Sequence, residues 1–587
     1  PSGAGGDSRT AVDVTVTDGG IFNIARMTLG YAGKPRDIHF VVTNNARMVF
    51  SESQDYKFSG VSNGADFDFD VTDGGVVEVG HELGLGWSAN APTRVRVLNS
   101  SWLVSKETKI GNDIAGVDCV FAATNSLIDS YRGNDSAQFR VNGEMILKDC
   151  VWTNALVNAW PANTDPKITI EGGAWTSLKK FHFGGGADAG RLTVNGGQHD
   201  LRGEFYLGYN PNANVPTKSV ATIRRADTVI DFNSDEMIAL GWNGTADMTI
   251  EDGVLRFPGA GGLSLGHAGA SSTGSVRMLK GTLDASVPNL GVCVGRNGFG
   301  TFTQEGGAIT VRQMFMGQVA VSDADLTCVF TQKGGTFTAL DSIGITLAYA
   351  QGRKTKLVLD GGVMSVPQII GGTGAAVNGG TGLALLAANG GTLVARRDNA
   401  TFVHALDGVE LGEQGLVVDT DYDVTITAAI SSKSNEKGVL VKRGRGTLTL
   451  AGTVADTVKV EVQGGKVVFG QSVTLDALTL GTENSSGAIE LADGVTLAIT
   501  GAVTINHNAS MQEFVFEEDL NGVTHVTVDD SPAETLEIRL DEAVTSNATA
   551  AVEFRAKDTL NVSVVSGGTL NRRVKLTRGA LVTKGGG

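Results

Sequence analysis

Two runs of alternating carboxylates are the groups in this sequence best suited to chemistry. Asp66, Asp68 and Asp70 fall in DFDFD, and Asp419, Asp421 and Asp423 in DTDYD. If each run is a strand, its three carboxylates share one face. Three such groups can supply oxygen ligands to Ca²⁺ or divide into general acid and base. Neither run is expected to meet an Arg or His from a neighbouring turn of the chain, and Phe67 and Phe69 read as the buried partners of a solvated edge. A third stretch, GRNGFG at Gly295–Gly300, follows an apolar run, as a phosphate-cradling loop would. Such a loop must open a helix. Here TFTQEGG follows, which reads as another strand. No HExxH occurs. The expectation is no catalytic residue, no cofactor, and no metal beyond these six aspartates as calcium candidates.

The elements that would position these groups are short strands. Of 587 residues, 80 are Gly and 11 are Pro, without a G-X-Y period, so the chain is not collagen-like. Runs such as VDVTVTDGG alternate β-branched residues and end in glycine. The net charge of −16 lacks the basic footprint that nucleic acid requires. Cys119, Cys150, Cys293 and Cys328 form no C-x-x-C. They fit either small buried hydrophobes or, in an oxidising compartment, one or two disulfides. The uncharged stretch 361–395 is broken by glycine pairs, so no membrane span is expected.

A repeat organises these strands. Glycine pairs, or near-equivalents, end at Gly197, Gly253, Gly281, Gly307, Gly335, Gly362 and Gly391. The first step is a double one, and the period of about 27 residues falls within the range of stacked repeat units. Weaker copies lie near Asn99–Ser100, Thr124–Asn125 and Asp149–Cys150. Two residues after these pairs, and after those that end upstream at Gly20, Gly75 and Gly173, stand Phe22, Val77, Trp175, His199, Leu255, Leu283, Ile309, Phe337, Met364 and Leu393. Nine of these ten are apolar, which marks one inward position per turn. The chain therefore reads as all-β, a right-handed parallel β-helix of about 27 residues per coil, with at least two strands and room for a third. GRNGFG is then one corner of one coil, and its equivalents GWNGTA and GHAGAS recur with the period.

In a second ladder, an apolar strand ends in glycine and a large residue follows. Tyr31, Trp87, Tyr209, Trp242 and Tyr349 occupy that place. They are read as turning outward into a surface aromatic stripe, where they could stack on sugar rings, pack on another subunit, or stack on one another.

Copies of the form LxLGxxGxGxxxxxxGGxL resemble the repeats of secreted autotransporter-type and PEP-CTERM-associated proteins. The stretch GVLVKRGRGTLTLAGTVADTVKVEVQGGKVVFG (438–470) is similar to the autotransporter-associated β-strand repeat. It carries Lys442, Gly444, Gly446, the TLTL strand Thr447–Leu450, Gly452, and Gly464–Gly465. This resemblance implies an extracellular β-solenoid passenger on a bacterial surface. The start PSGAGG has neither a basic stretch nor an apolar core, so a signal segment is expected to have been removed already. The NTD at 163–165 is similar to polygalacturonase, but the G-H-G of that family does not occur.

Residues 1–395 are assigned to regular coils and 396–512 to shorter, less regular ones. Residues 513–587 read as a β-rich terminal module, with eleven acids over 513–553 and seven bases over 555–584. The expected function is a secreted, non-catalytic structural protein: a fibre or appendage subunit, or an adhesin-like stalk. The alternative is a carbohydrate-binding or polysaccharide-cleaving β-helix. The expected partners are further copies of the chain, with residues 1–30 meeting 513–587, and glycans as candidate ligands.

Overall fold

The computed structural model describes residues 12–25, 37–51, 56–58, 67–85, 92–111, 119–159, 165–186, 189–210, 217–320, 327–434, 436–482, 485, 487–492, 495, 497–499 and 503–506. Beyond these it describes 511–518, 524–530, 534–540, 551–555, 559–564, 573–576 and 580–585. The chain is a β-solenoid of parallel stacked coils, about 26 residues per turn. It divides into two compact units: 1–302 with 307–312, and 303–306 with 313–587.

In the first unit the described coils lay strands on three faces, in places with one strand running over two of them, as Val151–Ala159 and Gly190–Leu201 do. Thr273–Met278 lies on the first face, Thr282–Ala285 on the second and Val292–Val294 on the third. Each pairs in parallel with its counterpart one coil away, as Ser264 does with Cys293. First-face strands alternate: Phe67, Phe69 and Val71 are buried while Asp68 and Asp70 are half-exposed. Third-face strands such as Ile238–Leu240 and Leu263–Leu265 are buried at every residue. Their outward register positions are small, Ala239 then Ser264 then Cys293.

The inward ladder of the second face runs Phe22, Met48, Val77, Trp102, Ile128, Trp152, Trp175, His199, Ile230, Leu255, Leu283, Ile309. Ile230 supplies the rung inside the double step of the glycine pairs. All but the first rung are buried. Phe22 is 37 % exposed, and Ile21 beside it 64 %, because no described coil packs on that side. Around the ladder the rings of Phe69, Trp102, Phe121, Phe139, Trp152 and Trp175 follow one another at 5.1–6.1 Å. Burying rings of this size contributes to the cohesion of these coils.

The corner between first and second faces takes at least one left-handed residue in these coils, and two in some, as at Asp73 and Gly74. Asp73, Asn99, Asn125 and Asp149 take that conformation at φ 47–52°. Asn and Asp tolerate that region better than other side chains, so they stand where other copies have glycine. Their main chains relay along the stack: Gly74 N donates to Asn99 O, and Asn99 N to Thr124 O.

In the second unit the ladder runs Phe337, Met364, Leu393, Val418, Lys442, Val462, Leu480. The coils shorten along it, since Leu416 pairs with Leu440, Leu440 with Val460, and Val460 with Leu478. Met511–Glu518, Thr524–Asp530 and Glu534–Leu540 are antiparallel. Ala551–Arg555 rejoins the parallel ladder beside Val503–Asn506. Among the described residues the one helical element is a 3-10 turn, Ala376–Asn378, and no helix is long and apolar enough to cross a membrane.

Candidate functional site

The first carboxylate run lies on a strand of the first face, and there the expectation of an isolated cluster is corrected. Register puts Asp68 between His39 and Arg94, and Asp70 between Val41 and Arg96, with His39 reaching Asp70 diagonally. Arg96 grips Asp70 with Nε at 2.6 Å and Nη2 at 2.8 Å, and His39 Nε2 lies 2.9 Å from the same carboxylate. Arg94 reaches Asp68 at 3.8 Å. Burial works against the Asp70 carboxylate, but Arg96 and His39 together outweigh it and hold its carboxyl below the usual range. These oxygens face cations of the protein itself, which is not the all-oxygen cage that calcium takes. Asp66 lies outside the described residues.

The second run does not alternate along one strand. Asp419 ends the strand Leu416–Asp419, while Asp421 and Asp423 occupy the following corner and are exposed. Asp421 Oδ1 accepts the Arg445 N–H at 3.0 Å, and Asp423 Oδ1 accepts that of Thr447 at 2.8 Å. The Thr447 main chain thereby holds the Asp423 carboxyl below its ordinary range. Each carboxylate caps the next coil.

Beneath that corner sits Lys442, fully buried and in register with Val418 and Val462. Its Nζ donates to four main-chain carbonyls: Arg443 at 2.5 Å, Gly444 at 2.9 Å, Thr420 at 3.3 Å and Gly464 at 3.4 Å. Burial pushes the ammonium down to about 8, opposed by Asp419, Asp421 and Asp423. Gly444, at φ +76°, explains part of the motif. A Cβ there would run into the Thr420 carbonyl.

GRNGFG is a corner. Asn297 donates to Ala268 O at 3.0 Å in the preceding coil, and Asn243 of GWNG does the same to Asn210 O at 3.3 Å. Gly295 turns at φ +77°. Its neighbour Arg296 places Nη1 2.9 Å from His267 Nε2.

The residues that follow the corner glycines do not all turn out to solvent. Trp242 folds back over the strand, 4.2 Å from the Tyr206 ring and 4.7 Å from His267. Tyr209 stacks on His182 at 4.1 Å. A column Tyr209, Trp242, His267, Arg296 thus closes on itself over successive coils. Burial, then Arg296, pushes His267 down to about 3. Tyr349 is the outward member, 44 % exposed, with Phe315 edge-on at 5.1 Å. Tyr31 and Trp87 lie outside the described residues.

Under Tyr209, His182 Nε2 lies 2.8 Å from Glu204, which also takes Lys180 at 3.0 Å. Sequence reasoning missed this trio. Only the coil register joins Lys180 and His182 to Glu204 across a whole turn of chain. Burial outweighs Glu204 and lowers the His182 pKa.

No family model, curated protein or solved structure matches this chain.

Gly262–Gly266 spell G-x-S-x-G, a motif that an inspection of the sequence for catalytic signatures passes over as one more strand and corner. Ser264 lies within the straight strand Leu263–Leu265 and is fully buried, unlike the exposed serine of a strand-to-helix elbow. His199 is buried, with Nε2 2.9 Å from Gly196 O and Nδ1 without a hydrogen-bond partner. All four cysteines are buried and none is joined in a disulfide. Among the described residues, no three His, Cys, Asp or Glu side chains converge as a metal site.

Proposed function

We propose that this protein is a secreted, non-catalytic structural β-solenoid of a bacterial cell surface, of the autotransporter-type or PEP-CTERM-associated kind that its repeats resemble. It serves as a fibre or appendage subunit, or as an adhesin-like stalk. One observation carries the reading: polar side chains able to do chemistry are used to tie one coil to the next. Arg47 pairs with Glu78, Arg96 with Asp70, Arg256 with Asp231, and Lys466 with Glu490. Asn243, Asn297, Asp421 and Asp423 bond main chain one coil away. Repetition of such ties suits a protein whose task is to hold its form along an axis.

Homopolymers through the solenoid ends fit this role, since unpaired strand edges recruit strands and a head-to-tail contact propagates. Negative-stain imaging of the purified chain at high concentration, in low and high salt, is expected to show filaments. Isolated particles throughout would exclude polymerisation.

A second reading, glycan binding or cleavage, is favoured by a cleft of about 400 Å³ lined by Asp398, Asn399, Asp423, Thr425, Thr447 and Thr449. Incubation with a polysaccharide panel separates the two. The structural reading predicts no new reducing ends or unsaturated products, and robust turnover defeats it.

A further inference from the structure

The Lys442 corner surrounds a buried ammonium with main-chain acceptors. Four carbonyl oxygens from three successive coils converge on one nitrogen. Thr420 O also accepts from Gly446 N, and Arg443 O from Thr420 N. Gly444 O and Gly464 O have only Lys442 as a donor among the described residues. An ammonium brings three donors and no acceptor, and its field is complemented by Asp419, Asp421 and Asp423.

We propose that this corner is a binding site for a small monovalent cation, an ammonium or alkali ion, and that the Lys442 ammonium is its tethered occupant. The inner ligands are neutral main-chain oxygens. Rings of carbonyls replace the hydration shell of weakly hydrated cations, whereas calcium sites draw on carboxylates. Here the carboxylates bond main-chain N–H groups instead, two of them at 2.8–3.0 Å. The glycine at 444 lets the oxygens close in, because a side chain there would displace the Thr420 carbonyl. Emptied of its tether, the seat keeps its oxygens and gains the space of a lysine stem.

The test uses the full chain with Lys442→Ala and follows hydrogen exchange over residues 416–469. Exchange there is expected to quicken at least about tenfold. Ethylammonium or K⁺ is expected to restore protection, while tetramethylammonium and Ca²⁺ at equal ionic strength do not. Lys442→Met fills the stem space without charge and is expected to ignore every cation. No cation-dependent recovery in Lys442→Ala, or equal recovery with tetramethylammonium or in Lys442→Met, overturns the proposal. If Lys442→Ala does not fold, native reductive methylation of the unaltered chain decides. Exposed Lys433 and Lys437 are expected to be modified and Lys442 spared; modification of Lys442 at their rate refutes the seat.

Discussion

His199 and Lys442 hold equivalent rungs of the inward ladder in the two units, and both are polar where their neighbours are apolar. They solve the same problem in opposite ways. His199 sits above Trp175, bonds one carbonyl, leaves Nδ1 unpaired, and is pushed by burial towards the neutral form. Lys442 satisfies four carbonyls and, at about 8, still carries its proton at neutral pH. A polar group that is tolerated adds nothing to the stack, whereas one that satisfies otherwise orphaned carbonyls becomes a cross-link.

The largest effect should come from emptying the Lys442 rung. Lys442→Ala leaves a cavity and strands Gly444 O and Gly464 O, at a cost of about 3–5 kcal/mol. Hydrogen exchange over 416–469 reports it, while the fluorescence of the six tryptophans, all at or before residue 242, should not change.

Acid sharpens the contrast from the other side. His267 is held near 3 in the folded chain, against about 6.5 when unfolded. Its neutral form therefore supports the first unit fully above pH 6.5, and that support is lost as pH falls towards 3. His182 and His199 are shifted the same way. His267→Phe, facing Arg296 and Trp242, should remove up to about 3 kcal/mol of the stability difference between pH 7 and pH 4. Urea titration followed by tryptophan fluorescence at both pH values measures it.

Gly444→Ala tests the seat without touching its cation. The positive φ alone costs about 1–3 kcal/mol, and the faster exchange should be confined to the corner around Thr420 and Lys442. Asp70→Asn should have the smallest effect, about 1 kcal/mol at pH 7, because its partner Arg96 is largely exposed. That difference should start to shrink as pH falls below about 4, where the unfolded aspartate begins to gain its proton, and should be lost once the depressed folded carboxyl has gained its own.

The solenoid was legible because one apolar rung and one left-handed corner recur every turn. The copies at Asn99, Asn125 and Asp149 looked weak only because Asn and Asp replace glycine at a position that needs positive φ. The pairing of Asp70 with Arg96 was within reach once Phe69 was aligned with Val95, but it demands a register correct to the residue across a whole coil. DTDYD misled because the same alternation occurs at a corner, where the strand has already ended at Asp419. Trp242 of the aromatic stripe is partly covered, because an outward register does not guarantee exposure. Ala239 leaves room for Trp242 to lie on Tyr206. The Lys442 motif was visible as residues, but its partners are main-chain carbonyls, which have no sequence signature.

The most direct test is a matched pair of apolar replacements, His199→Leu and Lys442→Met, each in the full chain, with local stability read by native-state hydrogen exchange. Lys442→Met should lower the stability of its coils by about 2–4 kcal/mol by orphaning two carbonyls. His199→Leu should change its own by less than about 1 kcal/mol in either direction. Equal losses at the two rungs, or an unchanged Lys442→Met, would contradict the claim that Lys442 cross-links the coils.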